Sequence, residues 1–236
     1  MRKRNLSIVV LCLLVQQAFA QSSVDTRTNG SGTSMAFIDM NGKPFHNSDY
    51  TDVEGSPFLN DNWRTADLVL NNGKRLLQVK ARINEFSNEI HFLSVNNEEF
   101  STPPGIVKEI RFSDSSQQPP QSWLYQAGFP AVDGLTEQNF YEVFSTGKIS
   151  LLRIETKKIE EQRSDMSGEK KRVFKTYEDV YVLQGATMKR IKKEKSAVLE
   201  LMTDQKDKID AFASAQKINF KNIDSLKKLF DYYNTL

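Results

Sequence analysis

From about Met35 to residue 191 the apolar side chains of this chain recur at every second position, in short runs separated by turn residues. A period of two places alternate side chains on opposite faces of a pleated strand, so this stretch reads as half-buried sheet. Leu77, Val79, Ala81 and Ile83 alternate with Gln78, Lys80 and Arg82. Just before them, Leu68 and Leu70 run into Asn71-Asn72-Gly73-Lys74, and an Asn-Gly pair between two alternating runs marks a tight hairpin because both residues tolerate positive φ.

The same pattern repeats along the chain. Ile90 and Phe92 precede Asn96-Asn97, and Ile106, Ile110 and Phe112 follow. Phe140 to Phe144, the turn Ser145-Thr146-Gly147-Lys148 and Ile149 to Ile159 read as another hairpin, with Val173 to Tyr177 and Val180 to Leu183 beyond a polar loop at Ser164 to Lys171. Short strands joined by such turns predict an antiparallel meander, as a curved sheet or partly open barrel. Gly lies close to Lys at residues 42–43, 73–74, 147–148 and 168–170, but irregular spacing argues for recurrent hairpins over repeats, and no GxxxxGK[ST] phosphate loop is present.

Near Lys195 the period changes to that of a helix. Ile209, Phe212, Ala213 and Gln216 share one face, and Leu226, Leu229, Phe230 and Tyr233 share another, with Asn222 as N-cap and Asp224 in the first turn. Ala197 to Met202 adds a shorter candidate, for two to three C-terminal helices. The expected fold class is α+β: one β-rich domain over residues 35–236 with a helical C-terminus from about 195.

The N-terminus predicts export. Met1-Arg2-Lys3-Arg4 is basic, Leu6 to Val15 is apolar, and Ala18-Phe19-Ala20 is small-x-small, the three parts of a secretory signal peptide spanning 1–20. The apolar run is too short to span a bilayer. Residues 21–34 (QSSVDTRTNGSGTS) are polar and small, and predict a flexible leader. The chain's single cysteine, Cys12, lies inside the signal without a small residue just ahead of it, which argues against lipidation. The mature chain is therefore expected to be free of disulfides and thiolate metal sites, with no transmembrane segment. The formal charge of +2 includes Arg2, Lys3 and Arg4, so the mature chain is close to neutral, and its basic residues are no nucleic-acid footprint. A bacterial periplasm or cell surface is the expected location.

Few residues offer chemistry. The mature chain has two histidines, His46 and His91. His91 is opposite in phase to Ile90 and Phe92, which predicts that it faces water or a neighbouring strand. HExxH and GxSxG are both missing, so neither zinc nor serine hydrolysis is indicated. Asp39, Asp49, Asp52, Glu54 and Asp61 lie in one loop-rich stretch without the spacing of a calcium loop, and read as a solvated loop. Lys189-Arg190-Ile191-Lys192-Lys193-Glu194-Lys195 reads as a solvated strand-to-helix junction. Aromatic content is the unusual feature. Trp123, Tyr125 and Phe129 sit between two turn-rich segments, and are the candidate ligand-binding platform for a sugar, peptide or lipid.

Gly55-Ser56-Pro57-Phe58-Leu59-Asn60-Asp61-Asn62-Trp63, the Asn72-Gly73 hairpin, Arg82-Ile83-Asn84 and the ending Leu229-Phe230-Asp231-Tyr232-Tyr233-Asn234 resemble exported bacterial proteins of unknown function. That resemblance implies no activity and carries over no catalytic residue. The expected role is a non-enzymatic cell-envelope binding or interaction protein, holding a hydrophobic or glycan ligand, or a protein partner, against a curved sheet. A sharper form resembles lipoprotein-carrier folds, in which sheet and helices enclose an apolar cavity. The alternative is a hydrolase of envelope glycan or peptide using scattered carboxylates. No cofactor, metal or nucleic acid is expected.

Overall fold

The structure, a computed structural model, describes residues 50, 52–163 and 169–236. The expected signal peptide and leader, the expected start near Met35, Asp39, His46, Asp49 and the turn around Gly168 lie outside the described residues. Eleven strands form one sheet. They are β1 (Val53–Glu54), β2 (Arg64–Leu70), β3 (Arg75–Asn84), β4 (Glu89–Leu93), β5 (Glu99–Thr102), β6 (Val107–Asp114), β7 (Gln121–Gln126), β8 (Tyr141–Ser145), β9 (Ser150–Arg163), β10 (Lys170–Gln184) and β11 (Thr187–Ile191). Their order is β1-β10-β9-β8-β7-β6-β2-β3-β4-β5, with β11 also on β10. Two meanders, β2 to β5 and β6 to β11, therefore join where β6 returns to pair with β2. Every described pairing is antiparallel except the short one of β1 with β10.

The sheet is open, with β5 at one end and β1 and β11 at the other. The turn chemistry works as expected. At the β2–β3 turn Gly73 has φ +81 and donates its N–H to Leu70 O at 2.9 Å. Between β4 and β5, Asn97 has φ +61. One phase expectation fails. Leu77 is 60% exposed while Leu76 is buried. The register between β2 and β3 shifts between Ala66 and Leu68, and Gln78 in the opposing strand takes φ +55, so the pleat changes phase there.

Side chains paired in register occupy the same face of the sheet. One face runs from Phe92 and Ala81 through Leu68, Ile110 and Phe112 to Tyr125, and its buried residues form a first core. Farther along, the same face carries Leu151, Val180 and Val182, which the helices cover. The reverse face carries Tyr141, Leu152, Ile154 and Tyr181, packed under Phe129, Val132 and Leu135 of the segment between β7 and β8.

Helical structure runs unbroken from Lys195 to Ala215, as α1 (Lys195–Leu199), a 3-10 stretch and α2 (Lys206–Ala215), bent at Met202. It is followed by α3 (Ile223–Thr235). Asn222 caps α3 as the sequence predicts, accepting from Ser225 N at 2.8 Å. Leu226, Leu229, Phe230 and Tyr233 point into the core, and Phe212 of α2 stacks on Tyr232 at 4.0 Å.

One side chain fastens α3 to the sheet. Asn234 reaches the β8–β9 turn, accepts from Ile149 N at 3.1 Å, and donates to Ile149 O at 3.0 Å and Ser145 Oγ at 3.1 Å. The amide so mimics a neighbouring strand at the point where β9 begins. It fits because Gly147, at φ +153, leaves room: a Cβ there would stand 2.5 Å from Asn234 Cγ. Deleting this amide leaves the N–H of the buried Ile149 unpaired, at about 1–3 kcal/mol. Asn234→Ala and Gly147→Ala are each expected to lower the urea midpoint. Gly147→Ala should cost less in the Asn234→Ala background, where the contacts with Cγ and Oδ1 are gone and only the one with Cβ, at 2.8 Å, remains; a double-mutant cycle with no such coupling would contradict this account.

Candidate functional site

The three aromatic residues singled out by sequence do not form one platform. Trp123 and Tyr125 share a face of β7, two residues apart. Tyr125 is buried and packs edge-on to Phe112 at 5.8 Å. Trp123 is half-buried, with the Arg64 guanidinium 4.0 Å over its ring. Phe129 lies on the reverse face of the sheet, edge-on to Tyr141 at 5.4 Å. Only Trp123 borders an open groove.

That groove, of about 590 Å³, runs between β7–β8 and the first turns of α3. This is within the range of small-molecule sites. Gln121, Ser122 and Trp123 line it from β7, and Val143 and Phe144 from β8. Ile223, Asp224 and Lys227 of α3 face them, and Glu142 and Arg153 line its inner part. Its walls combine an indole and aliphatic surface with hydrogen-bonding and charged groups.

Glu142 and Arg153 are opposite each other on β8 and β9. Arg153 grips Glu142 Oε2 through both Nη2 and Nε, the latter at 3.1 Å, and also reaches Glu178 at 3.4 Å and Glu155 at 3.7 Å. Burial pushes the Glu142 carboxyl up, against the pull of Arg153. Neither residue was singled out by sequence. The available signal was a lone acid in Phe140 to Phe144 and a lone base in Leu151 to Ile154, placed opposite each other by the Ser145–Lys148 turn.

Beside this pair a crevice of about 20 Å³ is lined by Tyr125, Glu142, Arg153, Glu155 and Glu85. That is room for about one water molecule. Glu85 follows β3, and its backbone C=O accepts from Lys157 N of β9 at 3.2 Å, although four strands lie between β3 and β9 in the sheet. Its side chain is 6% exposed, its Oε2 has no hydrogen-bond partner, and Lys157 Nζ is 4.0 Å away. Burial, and then the nearby Glu155 charge, push this carboxyl up to about 7, while Lys157 and Arg153 oppose the rise.

His91 does not face water. It is fully buried, with the Phe58 ring 4.9 Å away. Its Nδ1 lies 2.7 Å from Glu99 Oε1, and Nε2 lies 3.6 Å from Glu89. Arg82 donates to the same Glu99 at 2.7 Å and stacks on Phe58 at 3.5 Å and Trp63 at 4.3 Å. Burial raises the Glu99 carboxyl, but the bonds from Arg82 and His91 outweigh it and hold it below the usual carboxylate range. Among the described residues no hydroxyl hydrogen-bonds to His91, so this cluster orders β3, β4 and β5 and presents no activated nucleophile. The phase was read correctly; the Phe58 segment that covers this face supplied the burial.

Several of the remaining candidates are ion-paired. Asp52 meets Arg172, Glu54 meets Lys171 at 2.7 Å, Arg190 meets Asp179 at 3.4 Å, and Lys193 meets Glu178 at 2.6 Å. Among the described residues, no group of three or more His, Cys, Asp or Glu side chains is arranged to hold a metal ion. No helix among them is long and apolar enough to cross a membrane. No protein family matches this chain, and neither curated proteins nor solved structures gave a match.

Glu85 carries a pH signature. A carboxyl whose folded value exceeds its unfolded one stabilises the fold below the unfolded value, and that contribution is lost as pH rises through the folded value. A rise from 4.5 to about 7 corresponds to on the order of 3 kcal/mol. Glu85→Gln is expected to be more stable than the parent at pH 8, with the gap closing by pH 5. Urea unfolding at the two pH values checks this, and a gap independent of pH would contradict the shift.

Proposed function

We propose that this chain is an exported, non-enzymatic binding protein of the bacterial cell envelope, acting at the periplasm or cell surface. In this reading it holds a glycan in the groove between β7–β8 and α3, against a curved sheet. The observation that carries the reading is the groove's lining. Trp123 and Phe144 offer aromatic surface and Ile223 an aliphatic one, while Gln121, Ser122, Asp224 and Lys227 offer hydrogen bonds around them. A sugar ring has that same division into apolar C–H faces and polar edges. The tie between Glu85 and Lys157 across four intervening strands supports the curved, partly barrel-like sheet that such a groove needs.

An acyl chain fits less well. The crevice beside Glu85 admits about a water molecule, and the larger spaces are open; the one of about 540 Å³ lined by Leu77, Leu93 and Val95 lies between Arg75 and Lys80 and does not enclose a chain. The alternative, hydrolysis of envelope glycan or peptide, has one specific support: burial and the Glu155 charge push the Glu85 carboxyl up to about 7, beside Glu142. A general acid needs that property. Its crevice is too small for a sugar ring, and binding is therefore the reading adopted.

The chain has two tryptophans, Trp63 and Trp123, so a Trp63→Phe variant isolates the emission of Trp123. Titration with envelope oligosaccharides is expected to shift that emission saturably. Trp123→Ala should weaken binding about tenfold or more, the scale of a central aromatic anchor, in calorimetry on the otherwise unaltered chain. Binding unchanged in Trp123→Ala would remove the groove from the reading. Turnover of the oligosaccharide that Glu85→Gln abolishes would establish the hydrolase instead.

A further inference from the structure

We propose that the outer half of β9 pairs edge to edge, antiparallel, with the same strand of a second copy of this chain, about a twofold axis at Ile159. β9 is covered unequally on its two edges. Along one it pairs with β10 without a break from Ser150 to Arg163. Along the other, β8 covers only Leu151 to Arg153. Among the described residues, the single further backbone hydrogen bond on that edge is the Lys157 N–H donated to Glu85 O.

That bond also fixes which backbone groups are on offer. In an antiparallel strand the N–H and C=O of one residue point to the same side, and successive residues alternate. Since Lys157 points its N–H away from β10, so do Ile159, Glu161 and Arg163. Among the described residues nothing pairs with these three on that side. An unpaired row of this kind is a template for another strand.

Edge strands are usually guarded by charge, and the charges here have an order that reverses the guard. The strand reads Glu155-Thr156-Lys157-Lys158-Ile159-Glu160-Glu161-Gln162-Arg163. Rotated about Ile159, Lys158 falls opposite Glu160 of the second copy, an opposite-charge pair that occurs twice, and the one apolar residue meets itself. At Lys157 the edge is already taken by Glu85 O, so the pairing is centred on Lys158 to Glu160. Opposite charges directly across a ladder stabilise it, whereas like charges do the reverse. Ile159 exchanges N–H and C=O with its mate. Lys157 Nζ stays with Ser56 O and Phe58 O, which bounds the ladder at that end. The result is a self-complementary, closed pairing of the kind twofold dimers use.

Sedimentation of the full chain over a concentration series tests this, since a small interface predicts a reversible dimer. Lys158→Glu sets a carboxylate opposite Glu160 on both sides of the axis, and Glu160→Lys sets an ammonium opposite Lys158. Each variant alone is expected to dimerise about tenfold or more weakly, and an equimolar mixture of the two should regain the parent's affinity. Ile159→Cys supplies a second readout. Hydrogen-bonded partners lie about 5.5 Å apart at Cα, within disulfide reach, so oxidation should link two copies. Gln162→Cys, three residues from the axis, should stay unlinked. A parent chain that remains monomeric at its highest soluble concentration would overturn the proposal. A dimer indifferent to both charge reversals would also overturn it, as would Ile159→Cys chains that fail to link.

Discussion

The amide of Asn234 decides where α3 lies, and much else depends on that position. An open sheet buries only the faces that something covers, and Leu151, Val180 and Val182 are covered by the C-terminal helices. A helix packed on a sheet by apolar contacts alone can slide, because such contacts are non-directional. The bonds from Asn234 to Ile149 and Ser145 remove that freedom at one end of α3. Ser145 adds a 2.6 Å bond from its hydroxyl to Asp231, one turn back along the same helix. With the C-terminal end held, the first turn of α3 stands opposite β7, and Ile223, Asp224 and Lys227 become a wall of the groove. The groove's width is therefore set by a hydrogen-bonded turn at the far end of the helix.

The groove meets a buried ion pair, which has a different kind of cost. Taking Glu142 and Arg153 out of water is expensive, and a hydrophobic pair of equal volume is often no worse for stability. What the charged pair adds is direction. Arg153 has acids on three sides, Glu142, Glu155 and Glu178, and can satisfy them only in one arrangement of β8, β9 and β10. It also breaks one sheet face into two apolar regions, the core around Phe112 and Ile110 and the core under the helices. A continuous apolar strip would leave the helices several places to settle; a charged boundary leaves one.

Local chemistry in the sequence located the elements well. The Asn72-Gly73 turn, the Ser145–Lys148 turn and the Asn222 cap each depend on residues adjacent in the chain, and each is found where it was expected. The long hairpin of β9 and β10 was legible as two fragments on its second strand, because Glu178 and Asp179 interrupt the apolar pattern without interrupting the ladder. Contacts distant in sequence were not legible. Nothing local says that β6 returns to β2, that Phe58 covers His91, or that Arg153 finds Glu142. A charged residue in an alternating strand reads as solvent-facing, and that inference holds only if nothing else covers the strand. The wrong phase at Leu77 has a related origin: a bulge adds one residue and leaves no mark in the alternation itself.

The distribution of sheet edges follows from the same topology. Two meanders joined at β2 and β6 leave two terminal edges, and both are short: β5 has four residues and β11 has five. Short edges give little purchase to another chain. The long hairpin is different, because β9 and β10 have 14 and 15 residues while β8 has only five. Strands of unequal length must leave the longer one uncovered over the excess. β1 takes up part of that excess on the β10 side, through Arg172 and Val173. On the β9 side the chain comes back only as far as Lys157, where Ser56, Phe58 and Glu85 tie it down. Beyond that point no described residue pairs with this edge of the backbone, and the charge along it changes sign across a single isoleucine, from Lys158 to Glu160.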